Sequence, residues 1–227
     1  MPGLVPGIHV LTLRMKVVDG RDKPGHDVGG CRNLLNSPDT TKATLRVTAL
    51  AARDALSSEY RTAAAQAIAL RGLPFEIMPG AVVAGYSPIR SEIDPVPLMR
   101  KLAVPGVQLA LPAIVAGDQP LTFRAWSPSD RLQRGRLGIL EPSADAQELV
   151  PDILLVPLAA FDRAAHRIGY GAGHYDRTLE QLRKLKAITA IGIGLAVQEV
   201  EAVPALLHDA ALDYVLTETE VLDFRSL

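Results

Sequence analysis

The chain has 227 residues, 48% hydrophobic and 22% charged, a composition that fits a folded domain with a sizeable core and excludes a disordered chain. With 24 Lys and Arg against 25 Asp and Glu, the formal net charge is −1, and aromatic residues make up 4%, so a nucleic-acid-binding surface of basic residues interleaved with stacking aromatics is not expected. No apolar run approaches about 18 residues and no leader pattern opens the chain, which predicts a cytoplasmic protein without membrane spans. The single cysteine, Cys31, allows no internal disulfide, and the five histidines are too scattered for a metal cluster.

Residues 1–38 read as a segment outside the core. Pro-Gly and Gly-Gly pairs crowd Met1 to Gly30 without a sustained helical or strand period. Codons for Met1 to His9, read on the opposite strand, can encode every residue from Val18 to His26 except Gly20. That symmetry points to a translated inverted DNA repeat or a misplaced start codon, against the plainer alternative of a flexible arm. The domain proper is expected over 39–227.

From Asp39 onward Leu45, Ala49, Ala52, Leu56, Tyr60, Ala63 and Ala67 recur at steps of three and four, which predicts one amphipathic helix ended by Gly72 and Pro74. A strand follows over Ala81–Tyr86, a short helix over Pro97–Leu102 and a strand over Gln108–Pro112. Further strands are predicted at Leu121–Trp126, Asp152–Pro157, Ile188–Gly194 and Tyr214–Leu216, with a helix over Tyr175–Leu185. Alternating periods of this kind predict an α/β domain with helices on both faces of its sheet.

The most informative run is Arg167-Ile168-Gly169-Tyr170-Gly171-Ala172-Gly173-His174-Tyr175-Asp176-Arg177, between a strand and a helix. Glycines at alternate positions let backbone amides approach anionic oxygens, and a helix N-terminus adds its positive end. The spacing matches neither a P-loop nor the dinucleotide fingerprint, and a tight structural turn is the competing reading. Arg167 before the glycines and Asp176 after them suit a nucleotide with its Mg2+: a cation against phosphate, a hard oxygen for the metal. Lys42 and Arg46 stand four apart on a helix with no acid between them, which repels unless an anion sits there; two solvated basic residues are the bland reading. In Ser91-Glu92-Ile93-Asp94-Pro95 one acid is accounted for by capping, leaving Glu92 to meet paired N–H donors on a guanidine-like or pterin-like ring, or merely solvent. Trp126 and Tyr175 offer flat surfaces for a heterocycle, with core packing as the alternative for Trp126. Asp213 is either a second metal ligand or a strand-entry carboxylate.

Taken together, Lys42-x-x-x-Arg46, Ser91-Glu92-Ile93-Asp94, Leu109-Ala110-Leu111-Pro112, Phe123-x-x-Trp126, Gly138-Ile139-x-Glu141-Pro142, Val156-Pro157 with Ala160-Phe161-Asp162, and Arg167 to Arg177 resemble the 5-formyltetrahydrofolate cyclo-ligase family. The resemblance implies a single three-layer α/β/α domain with a mixed, largely parallel sheet, acting as a monomer on a reduced folate and MgATP. It implies that Lys42 and Arg46 hold ATP phosphates and, with Arg167, serve catalysis, and that the loop from Arg167 through Ile168, Gly169, Tyr170, Gly171, Ala172, Gly173 and His174 to Tyr175 wraps the nucleotide. It further implies Mg2+ on Asp176 and Asp213, and folate recognition by Glu92, Tyr175 and the segment from Tyr170 to His174. Family members often carry Tyr where this chain has His174. The implied reaction is ATP-dependent cyclisation of 5-formyltetrahydrofolate to 5,10-methenyltetrahydrofolate; a non-catalytic folate- or nucleotide-binding relative is the competing reading.

Overall fold

The computed structural model describes residues 38–117, 119–206 and 209–226. Apart from Pro38, the N-terminal segment expected over 1–38 lies outside the described residues. Helix α1 (Pro38–Asp54) and helix α2 (Ser58–Arg71) replace the single helix expected from the apolar spacing. The break has a local cause. Ser57 is extended, and its Oγ accepts the Tyr60 N–H at 3.1 Å, capping a new helix rather than continuing the old one. The buried face is therefore reset: α2 buries Ala64, Ala65, Ile68 and Ala69, while Tyr60 and Ala63 are exposed. Gly72, at φ +76°, ends α2 where Gly72 and Pro74 were expected to end it.

The chain continues through β1 (Val82–Ala84), α3 (Val96–Leu102), β2 (Gln108–Ala113), β3 (Thr122–Ala125), β4 (Gln133–Arg134), β5 (Leu140–Glu141), β6 (Glu148–Leu149), β7 (Ile153–Pro157), β8 (Ala160–Phe161), β9 (Arg167–Ile168), α4 (His174–Leu185), β10 (Thr189–Ile193), β11 (Tyr214–Leu216) and β12 (Val221–Asp223). Eight of these strands form one sheet in the order β12-β11-β10-β7-β1-β2-β3-β6. The strands from β11 to β2 run parallel, and antiparallel strands flank them on both sides. Strands β4 with β5 and β8 with β9 form two separate hairpin pairs. The sequence reading missed these short pairs, and also β6 and β12, because two or three residues carry no legible period.

Side-chain alternation along the strands sends Val83, Leu109, Leu111, Leu155, Ile191 and Ile193 to one face, against Ile68 of α2 and Leu98 and Met99 of α3. Val82, Ala84, Ala110, Leu154, Val156 and Ala190 point to the other, against Leu179 and Leu182 of α4. This is the three-layer α/β/α architecture. Removing a fully buried side chain such as Leu155 or Leu179 costs about 2–5 kcal/mol, the transfer loss plus the cavity left behind. A third, smaller cluster seats α1 through Leu45, Ala49 and Leu50 on Ala159, Ala160 and Ile168. It holds α1 across the β8–β9 hairpin rather than against the sheet centre. Trp126 is core, buried with the α2 and α3 layer. No described helix is long and apolar enough to cross a membrane.

The strand order fixes where a ligand can enter. From β1 the chain moves to β2 on one side, while β7, on the other side of β1, leads outward to β10 and β11. Loops leaving the carboxyl ends of β1 and β7 therefore diverge and open a crevice between them.

Candidate functional site

A cavity of about 510 Å3 lies at that crevice, reached from β1 by Tyr86 and Ser87, from β2 by Pro112 and from β7 by Pro157. Helix α1, the glycine loop after β9 and the first turns of α4 complete its wall. Its two ends differ in chemistry.

At the α1 end, Lys42, Arg46, Arg167, Asp176 and Asp209 come together around the glycine loop. Lys42 pairs with Asp209, whose carboxylate also accepts the Leu206 N–H at 2.6 Å. Arg46 Nε donates to the Gly169 carbonyl at 2.7 Å, and its terminal nitrogens face Gly171, where a Cβ would lie 3.7 Å from each. The expectation that the Lys42 and Arg46 pair has no partner inside the protein is thus corrected: the acid for Lys42 arrives from a distant loop. Arg167 is likewise committed, donating to the Ala210 carbonyl and, at 2.7 Å, to Asp176 Oδ1. Burial pulls its guanidinium below its usual range, and the charges of Asp176 and Asp209 push back. Its immediate geometry is that of a clamp on Asp176 rather than a cation turned toward the cavity.

The glycine loop works as expected of such loops at two positions. Gly171 and Gly173 take φ of +97° and +66°, a region that disfavours side chains, and Gly173 opens α4. Arg177 donates to the Ala172 carbonyl at 2.8 Å and so ties α4 back to the loop. His174 begins α4, one residue before the expected start, with Nδ1 3.4 Å from the Gln119 carbonyl. Tyr175 follows, and burial pushes its hydroxyl well up, helped by the Glu92 charge.

At the other end sits Glu92, 9% exposed. The turn before it places Arg90 at φ +53° and folds the carboxylate back onto the Ile89 N–H at 2.8 Å. Burial raises the Glu92 carboxyl to about 7, opposed by the Ile89 N–H, Arg53 and Tyr170. Asp94 is the capping acid, accepting the Val96 N–H at 2.9 Å. Arg53, 1% exposed, braces this end: it donates to Ser91 Oγ at 2.9 Å, to Tyr170 Oη at 2.5 Å and to the Leu158 carbonyl at 3.4 Å. Sequence reasoning missed Arg53, although its signal was present. Lys42, Arg46, Ala49 and Arg53 follow one another at steps of four, three and four, one continuous stripe of α1.

Asp213 stands apart from the residues lining the cavity. Its carboxylate accepts the Ala190 N–H at 2.7 Å and faces Arg183 at 3.4 Å, which is the strand-entry role that the sequence left open. Asp209, an acid that no local pattern announced, lines the cavity along with Asp176. Among the described residues no three His, Cys, Asp or Glu side chains are grouped to hold a metal by themselves.

Residues 38–218 match the model of the 5-formyltetrahydrofolate cyclo-ligase family. The chain is 32% identical over 180 residues to the 5-formyltetrahydrofolate cyclo-ligase of Escherichia coli K12, an alignment covering 76% of this chain and 97% of that one. It is also 32% identical over 189 residues to the Mycolicibacterium smegmatis cyclo-ligase, covering 78% and 93%. The NMR structure of Aquifex aeolicus 5,10-methenyltetrahydrofolate synthetase superposes with a TM-score of 0.67 at 30% identity, covering 81% of this chain and 93% of that one. The Mycoplasma pneumoniae synthetase, at 23% identity and a TM-score of 0.61 over 78% and 98%, shares the fold. The chain belongs to the 5-formyltetrahydrofolate cyclo-ligase family.

Proposed function

We propose that the chain converts 5-formyltetrahydrofolate and ATP to 5,10-methenyltetrahydrofolate, ADP and phosphate. The observation that carries this reading is a single cavity at the sheet's switch point, with a glycine loop and Arg46 at one end and a buried carboxylate, Glu92, at the other. The formyl oxygen attacks the γ-phosphorus and ADP leaves; N10 then attacks the activated formyl carbon, phosphate departs, and the N10 proton is lost to water. An amide-like oxygen is a poor leaving group until it carries the phosphoryl group, so the protein's contribution is alignment and charge.

Arg46 meets the phosphate oxygens beside the loop amides, because its terminal nitrogens already face Gly171. Lys42 joins them by exchanging Asp209 for phosphate, and Arg167 contributes mainly by fixing Asp176. The segment from Ile168 to Tyr175 wraps the nucleotide. Ionised Glu92 accepts the paired N–H donors of the pterin, with Tyr170 and Tyr175 beside it. Asp176, with Asp209 alongside, would hold Mg2+, two carboxylates being hard oxygen donors that suit this ion, and the ion would supply neutralisation of charge on the phosphoryl group. The catalytic domain spans 39–227 and acts as a monomer in the cytoplasm.

The test is the near-ultraviolet absorbance of the methenyl product in a mixture of purified chain, 5-formyltetrahydrofolate and MgATP, with ATP omitted as control. ATP-dependent growth is expected. A flat trace from folded protein that binds both ligands would overturn turnover and leave a binding protein.

A further inference from the structure

Asp162, directly after β8, is an acid that the cavity does not use: it is 3% exposed and stands apart from the lining residues. Its Oδ1 accepts the Ala164 N–H at 2.9 Å and the His166 N–H at 3.0 Å. Its Oδ2 accepts the Val203 N–H at 2.9 Å and faces His166 Nδ1 at 3.2 Å. A carboxylate offers about four lone-pair sites, and here each meets a donor. Among the described residues no Lys or Arg is ion-paired with it. A buried carboxylate without a fixed cation is costly unless hydrogen bonds compensate, so its place in the fold lies in what those bonds join.

The two oxygens join different parts of the chain. Oδ1 closes the β8–β9 turn, where Ala165 takes φ +69°, and so fixes the strand that leads into Arg167 and the glycine loop. Oδ2 reaches across 41 positions to Val203, which is buried with Ala49 of α1, Ala160 and Ile168. The stretch that begins there carries Asp209 and returns to the same hairpin at Leu212, whose N–H donates to the Ala165 carbonyl at 3.0 Å. Between these two ties the Ala210 carbonyl accepts from Arg167, and the Ala210 N–H donates to Asp176 Oδ1 at 3.2 Å. One carboxylate thus stands where the strand leading to Arg167 and Asp176 meets the stretch leading to Asp209.

We propose that Asp162 is a positioning residue for the nucleotide: it holds Asp209, and with it Lys42, in register with Arg167 and Asp176, so that the phosphates meet both sets of groups at once. The proposal rests on the reading of the glycine-loop end as the nucleotide site. Asp162 touches no ligand and acts through the Val203 tie. Groups that orient a binding residue from behind typically change affinity by about 10–100-fold when lost.

Asp162→Asn separates the two ties. Its oxygen still accepts the Ala164 and His166 N–H groups and keeps the turn, while its amide nitrogen, a donor, meets the Val203 N–H and breaks the cross-tie. An ester in place of the Ala202–Val203 amide removes the same N–H from the other side and leaves every side chain in place. For the parent and both variants, equilibrium binding of MgATP and, separately, of 5-formyltetrahydrofolate is measured along with the KM of each, with circular dichroism as the check on folding. Both variants are expected to bind MgATP about tenfold more weakly, its KM rising in step, with folate affinity within about twofold of the parent because the turn and the glycine loop are kept. His166→Ala, which leaves the Val203 tie intact, should bind MgATP as the parent does. Unchanged MgATP affinity in either folded variant, or an equal weakening of both ligands, overturns the proposal; if the Asn variant does not fold the ester decides, and failure of both to fold makes Asp162 a residue of the fold alone. If the parent binds both ligands without turnover, the function reading fails while the ratio of MgATP to folate affinity still decides Asp162; a parent that does not bind MgATP overturns both.

Discussion

The two ends of the cavity solve the same problem, holding charge near a sheet end, in opposite ways. At the glycine-loop end the ionic groups satisfy one another: Lys42 with Asp209, Arg167 with Asp176, Arg46 with the Gly169 carbonyl. An incoming anion there must exchange partners, so part of its binding energy is spent releasing those already made. At the Glu92 end one carboxylate is withdrawn from water and steadied by a backbone N–H, with Arg53 bracing the residues around it. Glu92 is already oriented, but the cost is carried by the protein before any ligand arrives.

The sharpest way to break this comparison is Asp176→Ala. It removes the acid that orders Arg167 and that would meet Mg2+, and turnover is expected to fall by about a hundredfold or more while circular dichroism stays native. Turnover within a factor of three of the parent would dismiss the assigned role.

Next in size is Arg53→Met. It strips three hydrogen bonds from a fully buried site, at a cost of about 3–5 kcal/mol by denaturant unfolding, because Ser91, Tyr170 and the Leu158 carbonyl lose their donor. Arg53 also holds the Glu92 carboxyl down, so its loss raises that group further. A drop below about 1 kcal/mol would show that the bracing network is dispensable.

Glu92 supplies a pH signature. Its folded carboxyl titrates near 7, against 4.5 unperturbed, so its contribution to stability is full below about 4.5 and is lost as pH rises through 7. Across that span the loss amounts to about 3 kcal/mol. Glu92→Gln is expected to flatten this part of the stability-against-pH curve. Folate affinity should show the opposite trend, rising with pH toward 7 in the parent as the acceptor ionises and staying level in the variant. Parallel curves for the two proteins would rule out the assignment.

Asp213→Ala is the mildest of these changes. It leaves the Ala190 N–H without its acceptor and should lower stability by about 1–3 kcal/mol, with turnover of the folded protein near that of the parent. A turnover loss matching that of Asp176→Ala would return Asp213 to the metal.

Much of this was legible in the chain because it is written locally. The alternation of strand and helix periods, the glycine run before α4, and the spacing of Lys42 and Arg46 all lie within a few residues of one another. What escaped was either too short or too distant. The Ser57 cap divides a stripe that by period alone reads as one helix, and the two-residue hairpin strands have no period at all. Asp209 reaches Lys42 across 167 positions, a closure that only the packed sheet and its loops can bring about. Arg53 was missed for another reason: an arginine on an apolar stripe reads as an interruption until the hydroxyls and carbonyl that receive it are in view.

Helix α1 has one more consequence. Arg46 at the glycine-loop end and Arg53 beneath the Glu92 end are seven residues apart on one stripe, about 10 Å along the axis. Any shift of this rod on binding ATP is delivered to the brace of Glu92, and thermodynamic reciprocity requires that the factor by which ATP changes folate affinity equal the factor by which folate changes ATP affinity. Paired titrations, each ligand with and without the other, measure both factors; a ratio of one in each would mean that the rod transmits nothing.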